Sequence, residues 1–178
     1  ATDGVAAVST LNSKEFLLSL PSGAYTTART CANSRRLFEW DMHVARTAAS
    51  VAAMLDDDAS ACANPDGVRS ALGTTEALRP RLDATVTAAV RDYLAAHGND
   101  DELKITVLVS WQDYAPRTAG ELGSVACHVA PLPRLPEPPV IVEVRGAPRS
   151  NAAAKASAWV ADRAPLEDLM KAATVGSV

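Results

Sequence analysis

Three polar side chains, His43, Arg46 and Ser50, are spaced three and four residues apart in a stretch of helical periodicity. On an α-helix this spacing places them on one face. The residues around Arg46 are small, so an anion can approach its guanidinium, which binds phosphate through a forked pair of hydrogen bonds. The pattern is compatible with a phosphate-binding arginine. The alternative is an ordinary arginine that pairs with Asp41, Glu39 or water.

Lys155 is one of four lysines in the chain and lies in a run of alanines. An amine that is removed from water loses affinity for its proton and becomes a nucleophile able to form an imine. Most lysines are instead solvated surface charges. The small apolar surroundings make Lys155 a candidate nucleophile, with a surface lysine as the alternative.

The composition argues against several classes of protein. Of 178 residues 48% are hydrophobic, but no apolar run approaches the roughly 18–20 residues of a membrane helix. A net charge of −4, from 17 Lys and Arg against 21 Asp and Glu, argues against nucleic-acid binding. The odd number and wide spacing of the cysteines indicate neither disulfides nor a metal site, and we expect small buried thiols in a reducing compartment. These cysteines are Cys31, Cys62 and Cys127.

The elements that position Arg46 begin with predicted β-structure. Short apolar or β-branched segments separated by turn residues predict two or three antiparallel strands. From Glu39 onward, apolar residues recur every three or four positions, which predicts an amphipathic helix that carries Arg46. We interpret the acidic run at 56–58 as a solvated exit loop rather than a metal site. The strand segments are residues 14–20, 24–30 and 36–38.

The second half of the sequence alternates helical and strand patterns. Residues 103–111 are almost continuously apolar, which predicts a strand buried on both faces. Five prolines between 131 and 139 preclude a helix and indicate a stiff connector. Together the elements predict a layered α/β (α+β) domain with an antiparallel-rich sheet and helices packed on it. The remaining expectations are a turn at 64–67, helices at 68–72, 80–96 and 165–170, and strands at 124–129 and 140–145.

Two parts of the sequence resemble class IV aminotransferase-like enzymes, the fold-type-IV pyridoxal phosphate group. The first is the segment Gly23-Ala24-Tyr25 followed by His43-x-x-Arg46-x-x-x-Ser50, where that group has a glycine-aromatic strand and H-x-x-R-L-x-x-S on a helix. Thr47 stands where the leucine is usual. Residues 142–149 and 155–163 extend the resemblance, which is closest to plant and algal D-amino-acid aminotransferase-like members and corresponds to their N-terminal part.

The resemblance implies roles for four residues. Arg46 matches the arginine that holds the cofactor phosphate, and Lys155 matches the catalytic lysine that forms an aldimine with pyridoxal phosphate. Tyr25 matches a tyrosine that faces the substrate. The Arg-Gly…Arg-x-His stretch that grips the substrate carboxylate in D-amino-acid aminotransferases is missing, so Arg117 is the remaining candidate for that role. The implied activity is transamination, or lyase chemistry like that of aminodeoxychorismate lyase, on an amino acid.

The resemblance also implies an incomplete enzyme. Residues 1–130 would form a small N-terminal domain, 131–139 the connector, and 140–178 the start of a large cofactor-binding domain. A homodimer, or a second chain that supplies the rest, is therefore expected. The alternatives are a catalytically inactive aminotransferase-like subunit of a larger organellar assembly and a binding domain that keeps only the Arg46 phosphate site. The Met-less start and the plant-like resemblance suggest a chloroplast or mitochondrial location after removal of a transit peptide.

Overall fold

The computed structural model describes residues 1–59, 62–98, 101–111, 122–134 and 151–175. Within these residues, four strands form one antiparallel sheet in the order β2-β1-β3-β4, and helices pack on it. The predicted mixed α and β class with an antiparallel sheet is therefore confirmed. The elements are α1 (Ser13–Leu18), β1 (Gly23–Cys31), β2 (Arg36–Leu37), α2 (Trp40–Asp57), α3 (Pro65–Leu72), α4 (Thr75–His97), β3 (Leu103–Ser110), β4 (Ser124–Pro131), α5 (Trp159–Asp162) and α6 (Ala164–Val175).

The strand β1 is central to the sheet and starts at a glycine for a steric reason. Gly23 pairs with Ser110 of β3. A Cβ on Gly23 would lie 2.1 Å from the carbonyl oxygen of Val109, closer than any side chain tolerates. A residue without a side chain therefore lets the first pair of the β1–β3 ladder form.

The strand β3 is buried on both faces, as the sequence predicts. Val107 and Val109 belong to the larger core, which the sheet shares with α2, α3 and α4. Leu108 points to the opposite face and packs in a smaller core with Phe16 and Tyr25. Successive residues of a strand point to opposite faces, so a continuous apolar run suits a strand covered on both.

The predicted strand at 14–20 is wrong, because residues 13–18 form the helix α1. The side chain of Asn12 accepts hydrogen bonds from the amides of Lys14 and Glu15, and Glu15 accepts one from the amide of Asn12. This reciprocal capping box starts a helix even where the apolar run is short. The predicted strands at 24–30 and 36–38 are confirmed as β1 and β2.

Two other helices begin earlier than predicted, because capping residues precede them. The predicted turn at 64–67 is wrong in part, because Asn64 caps the amide of Gly67 and α3 begins at Pro65. Proline fits the first turn of a helix, where its missing amide has no partner to lose. The helix α4 begins at Thr75 rather than at residue 80, with Thr74 as its cap and Pro80 inside it.

Most other predictions agree with the structure where it describes the chain. The predicted helix from Glu39 and the predicted strands at 103–111 and 124–129 are confirmed as α2, β3 and β4, and the predicted helix at 165–170 is confirmed within α6. The acidic run is exposed, but its prediction as an exit loop is wrong in part, because Asp56 and Asp57 belong to the last turn of α2, where Asp56 pairs with Arg69. The prediction of buried thiols is confirmed for Cys127, where burial raises the pKa of the thiol to about 12, but not for Cys31 and Cys62, which are half-buried. The predicted strand at 140–145 and most of the 131–139 connector lie outside the described residues.

The described part of the chain contains neither a membrane-spanning helix nor a candidate metal site. None of its helices is long and apolar enough to cross a membrane. No group of three or more His, Cys, Asp or Glu side chains is arranged there to hold a metal ion.

Candidate functional site

The helix α2 presents Arg46 to the strand β1. Arg46 Nη2 donates hydrogen bonds to Thr26 Oγ1 at 2.7 Å and to His43 Nδ1 at 3.1 Å. Ser50 lies one turn further along and donates from its hydroxyl to the Arg46 carbonyl oxygen at 2.8 Å. The predicted common face of His43, Arg46 and Ser50 is therefore confirmed, and it faces the sheet.

The hydrogen bonds of Arg46 fix the state of His43. A guanidinium has only donors, so His43 Nδ1 accepts from Arg46 and the ring proton lies on Nε2. The Thr26 hydroxyl, 2.9 Å from the same ring nitrogen, accepts from Arg46 and can donate to His43. Burial, followed by the positive charges of Arg46 and Lys155, lowers the pKa of His43. His43 is thus a neutral orienting group for Arg46 at neutral pH.

The segment around Lys155 pairs with the beginning of β1, on the side where β2 covers only Thr30 and Cys31. Ala156 pairs with Ala24 in an antiparallel bridge. The Tyr25 amide donates to the Lys155 carbonyl oxygen at 2.9 Å, and the Ser157 amide donates to the Gly23 carbonyl oxygen at 2.8 Å. The Gly23 amide donates to Ser157 Oγ at 3.0 Å. These bonds hold Lys155 beside Tyr25, although the two lie far apart in the sequence.

The side chain of Lys155 lies against an aromatic ring. Its Nζ is 4.8 Å from the centroid of the Tyr25 ring, within the range of a cation–π contact. Tyr25 itself is buried and belongs to the smaller core. Tyr25 and Thr26 are consecutive residues of β1 and point to opposite faces. Lys155, at Tyr25, and Arg46, at Thr26, therefore contact β1 from opposite faces of the sheet.

We call Tyr25, Arg46 and Lys155 the Lys155 cluster. No carboxylate of the described residues balances its two positive charges. Burial, followed by the charges of Arg46 and Arg163, lowers the pKa of Lys155 to about 8. Neither Lys155 nor Arg46 forms an ion pair with a carboxylate in the described parts of the chain. Asp41, the carboxylate that sequence reasoning offers as a partner for Arg46, pairs with Arg79 instead.

One donor of Arg46 has no acceptor among the described residues. Its Nε is buried and forms no hydrogen bond with them. A buried charged donor without a partner costs free energy, and native proteins rarely keep one without a reason. The arrangement is suited to an anion that accepts from Arg46 Nε and balances the positive charges nearby.

The structure brings together three of the four candidate residues. Tyr25, Arg46 and Lys155 meet at the edge of β1, and Arg117 lies outside the described residues. Sequence reasoning misses Thr26 and Ser157. Strand alternation next to Tyr25 was a usable signal for Thr26, whereas nothing local indicates that Ser157 bonds to Gly23.

Comparisons of the chain with protein-family models, with curated proteins and with solved structures find no match. The resemblance to class IV aminotransferase-like enzymes therefore stays a prediction.

Proposed function

We propose that Lys155 and Arg46 hold pyridoxal phosphate for a reaction of an amino acid, either transamination or lyase chemistry of the fold-type-IV kind. One observation carries the proposal. A half-buried lysine amine with its pKa lowered to about 8 is close enough to Arg46 for the two charges to interact, and Arg46 Nε has no hydrogen-bond partner in the part of the chain that the structure describes. When bound, this cofactor supplies an electron sink for a carbanion at the substrate α-carbon.

The residues present fit the phosphate end of the cofactor. Arg46 Nε is an unused donor, and charge-assisted hydrogen bonds to phosphate are the strongest that a guanidinium makes. Thr26 and His43 hold Nη2, so the plane of the guanidinium is fixed before an anion arrives. An anion would also offset the mutual repulsion of Arg46, Lys155 and Arg163.

The residues present also fit the aldehyde end. With a pKa of about 8, the amine of Lys155 is half deprotonated near pH 8, whereas an ordinary lysine, with a pKa of about 10.4, is almost entirely protonated there. Lys155 Nζ would therefore be the group that holds the aldehyde end of the cofactor. The same nitrogen could take up or return the proton of the substrate α-carbon. Tyr25 supplies an aromatic surface beside this nitrogen.

Two parts of this proposal concern groups outside the cluster. Arg117 is proposed as the residue that binds the substrate carboxylate. A homodimer, or a second chain, is proposed to supply further groups around the cofactor. Both belong to the resemblance rather than to the contacts of Tyr25, Arg46 and Lys155.

The phosphate half of the proposal is tested by titrating the native protein with pyridoxal phosphate and with pyridoxal, and following the absorbance of each. We expect pyridoxal phosphate to bind at least about tenfold more tightly, because only it can use a charge-assisted bond to Arg46. Arg46→Gln should abolish that preference, and the surface variant Arg79→Gln should keep it. Equal affinities for the two compounds in the unmodified protein would contradict the assignment.

A further inference from the structure

A cavity of about 370 Å³ lies between the β1–β2 turn and the second half of α4. Its lining includes the buried or half-buried apolar residues Val86, Val90 and Leu94, which we call its base, and the exposed residues Arg35, Arg36 and Arg91, which we call its rim. We call these six residues the arginine groove. Its volume lies in the range of small-molecule sites, and a few polar groups around an apolar base are typical of such sites.

The arginines of the groove differ from four others in the chain that form ion pairs. Arg69, Arg79, Arg81 and Arg163 each pair with a carboxylate. Among the described residues, Arg35, Arg36 and Arg91 pair with none. This is notable because the chain has more acidic than basic residues, 21 against 17. The groove therefore gathers three guanidinium groups that form no ion pair with a carboxylate of the described residues.

The carboxylate of Glu102 lies near the groove, and it is already engaged. Glu102 accepts hydrogen bonds from the hydroxyl of Thr30 and from the amides of Asn33 and Ser34. These bonds and the nearby charge of Arg29 lower the pKa of Glu102 despite some opposing desolvation, so it is ionised at neutral pH. Its charge is directed at the turn backbone rather than at the arginines.

The same bonds hold the turn that carries Arg35 in one shape. Ala32, Asn33 and Ser34 all have positive φ, at 56°, 56° and 58°. Consecutive residues in this left-handed region are costly unless the surroundings hold them. Since Glu102 binds two amides of the turn, the arginines that follow it start from a fixed backbone.

The groove is separate from the Lys155 cluster. Thr30 lines the groove, and Tyr25 lies five residues earlier on the same strand. At about 3.3 Å per residue the two positions are roughly 17 Å apart. A ligand small enough for the groove would therefore not reach Lys155.

We propose that the arginine groove binds a small amphipathic anion, a carboxylate or a phosphate carried on an apolar body. The apolar body would cover Val86, Val90 and Leu94, and the anionic head would accept charge-assisted hydrogen bonds from the rim arginines. Guanidinium groups bind both kinds of head group through paired donors, so carboxylate and phosphate share this chemistry.

Isothermal titration calorimetry tests the proposal with octanoate, octyl phosphate, octylammonium and inorganic phosphate. We expect one of the two amphipathic anions to bind at least about tenfold more tightly than octylammonium, since only an anion can use the arginines. The tighter of the two identifies the head group. Inorganic phosphate should bind more weakly than octyl phosphate, because it leaves the apolar base uncovered.

Variants locate the binding site. Arg91→Gln should weaken binding of the preferred anion at least about tenfold by removing a charge-assisted bond. The double variant Arg35→Gln/Arg36→Gln repeats the test if circular dichroism shows that Arg91→Gln does not fold. Arg79→Gln, on the same helix but outside the groove, should bind as the unmodified protein does.

Three results would overturn the proposal. The first is that neither amphipathic anion binds, and the second is that octylammonium binds equally well. The third is that Arg46→Gln, rather than the groove variants, removes the binding, which would assign the anion to the Lys155 cluster.

Discussion

The main-chain amide of Lys155 donates a hydrogen bond of 3.1 Å to Ser50 Oγ, across 105 residues of sequence. The same hydroxyl donates to the carbonyl oxygen of Arg46 at 2.8 Å. Ser50 is only 1% exposed, so water does not replace either bond. One hydroxyl thus ties the backbone that carries the candidate nucleophile to the helical turn that carries the candidate phosphate ligand.

Removing this hydroxyl should loosen Lys155. In Ser50→Ala the Lys155 amide loses its acceptor, and we expect a loss of about 1–3 kcal/mol in the free energy of unfolding. We also expect reduced attachment of pyridoxal phosphate to Lys155. Urea denaturation and peptide mass spectrometry measure the two effects.

Thr47→Val is the matched control. Thr47 is also buried on α2, and its hydroxyl donates to the His43 carbonyl oxygen at 2.8 Å without any bond to Lys155. This variant should keep attachment at Lys155. If Ser50→Ala keeps attachment as fully as Thr47→Val, Ser50 does not position the lysine.

A charged Lys155 should make the fold less stable. Its pKa falls from 10.5 to about 8 on folding. Between these values the unfolded chain binds more protons than the folded one, so stability rises with pH through that window. Lys155→Met removes the penalty and should raise the free energy of unfolding by about 1 kcal/mol at pH 7, a figure reduced for solvent screening.

The pH dependence separates this charge effect from packing. The advantage of Lys155→Met should shrink as the pH rises from 8 to above 10.5, because the unmodified lysine is then neutral in both states. Lys104→Met, at a half-buried lysine of β3, is the control. A gain for Lys155→Met that does not vary between pH 7 and pH 11 would exclude the charge as its cause.

His43 should make the protein sensitive to acid. Its pKa in the fold lies below the ordinary 6.5, so stability falls as the pH drops through 6.5 towards the folded value. The groups that face it explain the direction, because Arg46 and Lys155 are cations and Thr26 and Trp40 are uncharged. His43→Gln should show less destabilisation than the unmodified protein between pH 7.5 and pH 5, measured by urea denaturation. Equal losses in both proteins would show that the pKa of His43 is the same in the folded and unfolded states.

Residue type and spacing were enough to predict the face of α2 and the candidacy of Lys155. They could not predict that Lys155 meets Tyr25, because that contact depends on how residues 155–157 pair with the edge of β1. The error at residues 14–20 has a local cause, since a short apolar run fits either a strand or a helix. The spacing of Asn12 and Glu15 was the signal that would have decided it.

The conformation of the β1–β2 turn should depend on the carboxylate of Glu102. Its carboxylate accepts from the amides of Asn33 and Ser34. Glu102→Gln should therefore speed hydrogen exchange at both amides, and Asp101→Asn, which alters the neighbouring carboxylate, should not. The pKa of Glu102 is lowered from 4.5 in the fold, so its carboxylate stabilises the turn above pH 4.5 and loses this contribution as the pH falls towards the lowered value. Acid should therefore lower the protection factors of the same two amides. Unchanged exchange in Glu102→Gln would show that the turn holds its shape without this carboxylate.

The central claim is that the amine of Lys155 is the attachment point for pyridoxal phosphate. The most direct measurement is to incubate the native protein with pyridoxal phosphate near pH 8, reduce it with sodium borohydride and map the labelled peptides by mass spectrometry. We predict stoichiometric label on Lys155, none there in Lys155→Arg, and little on the other three lysines of the sequence. Label distributed over all four lysines, or absent from Lys155, would contradict the account.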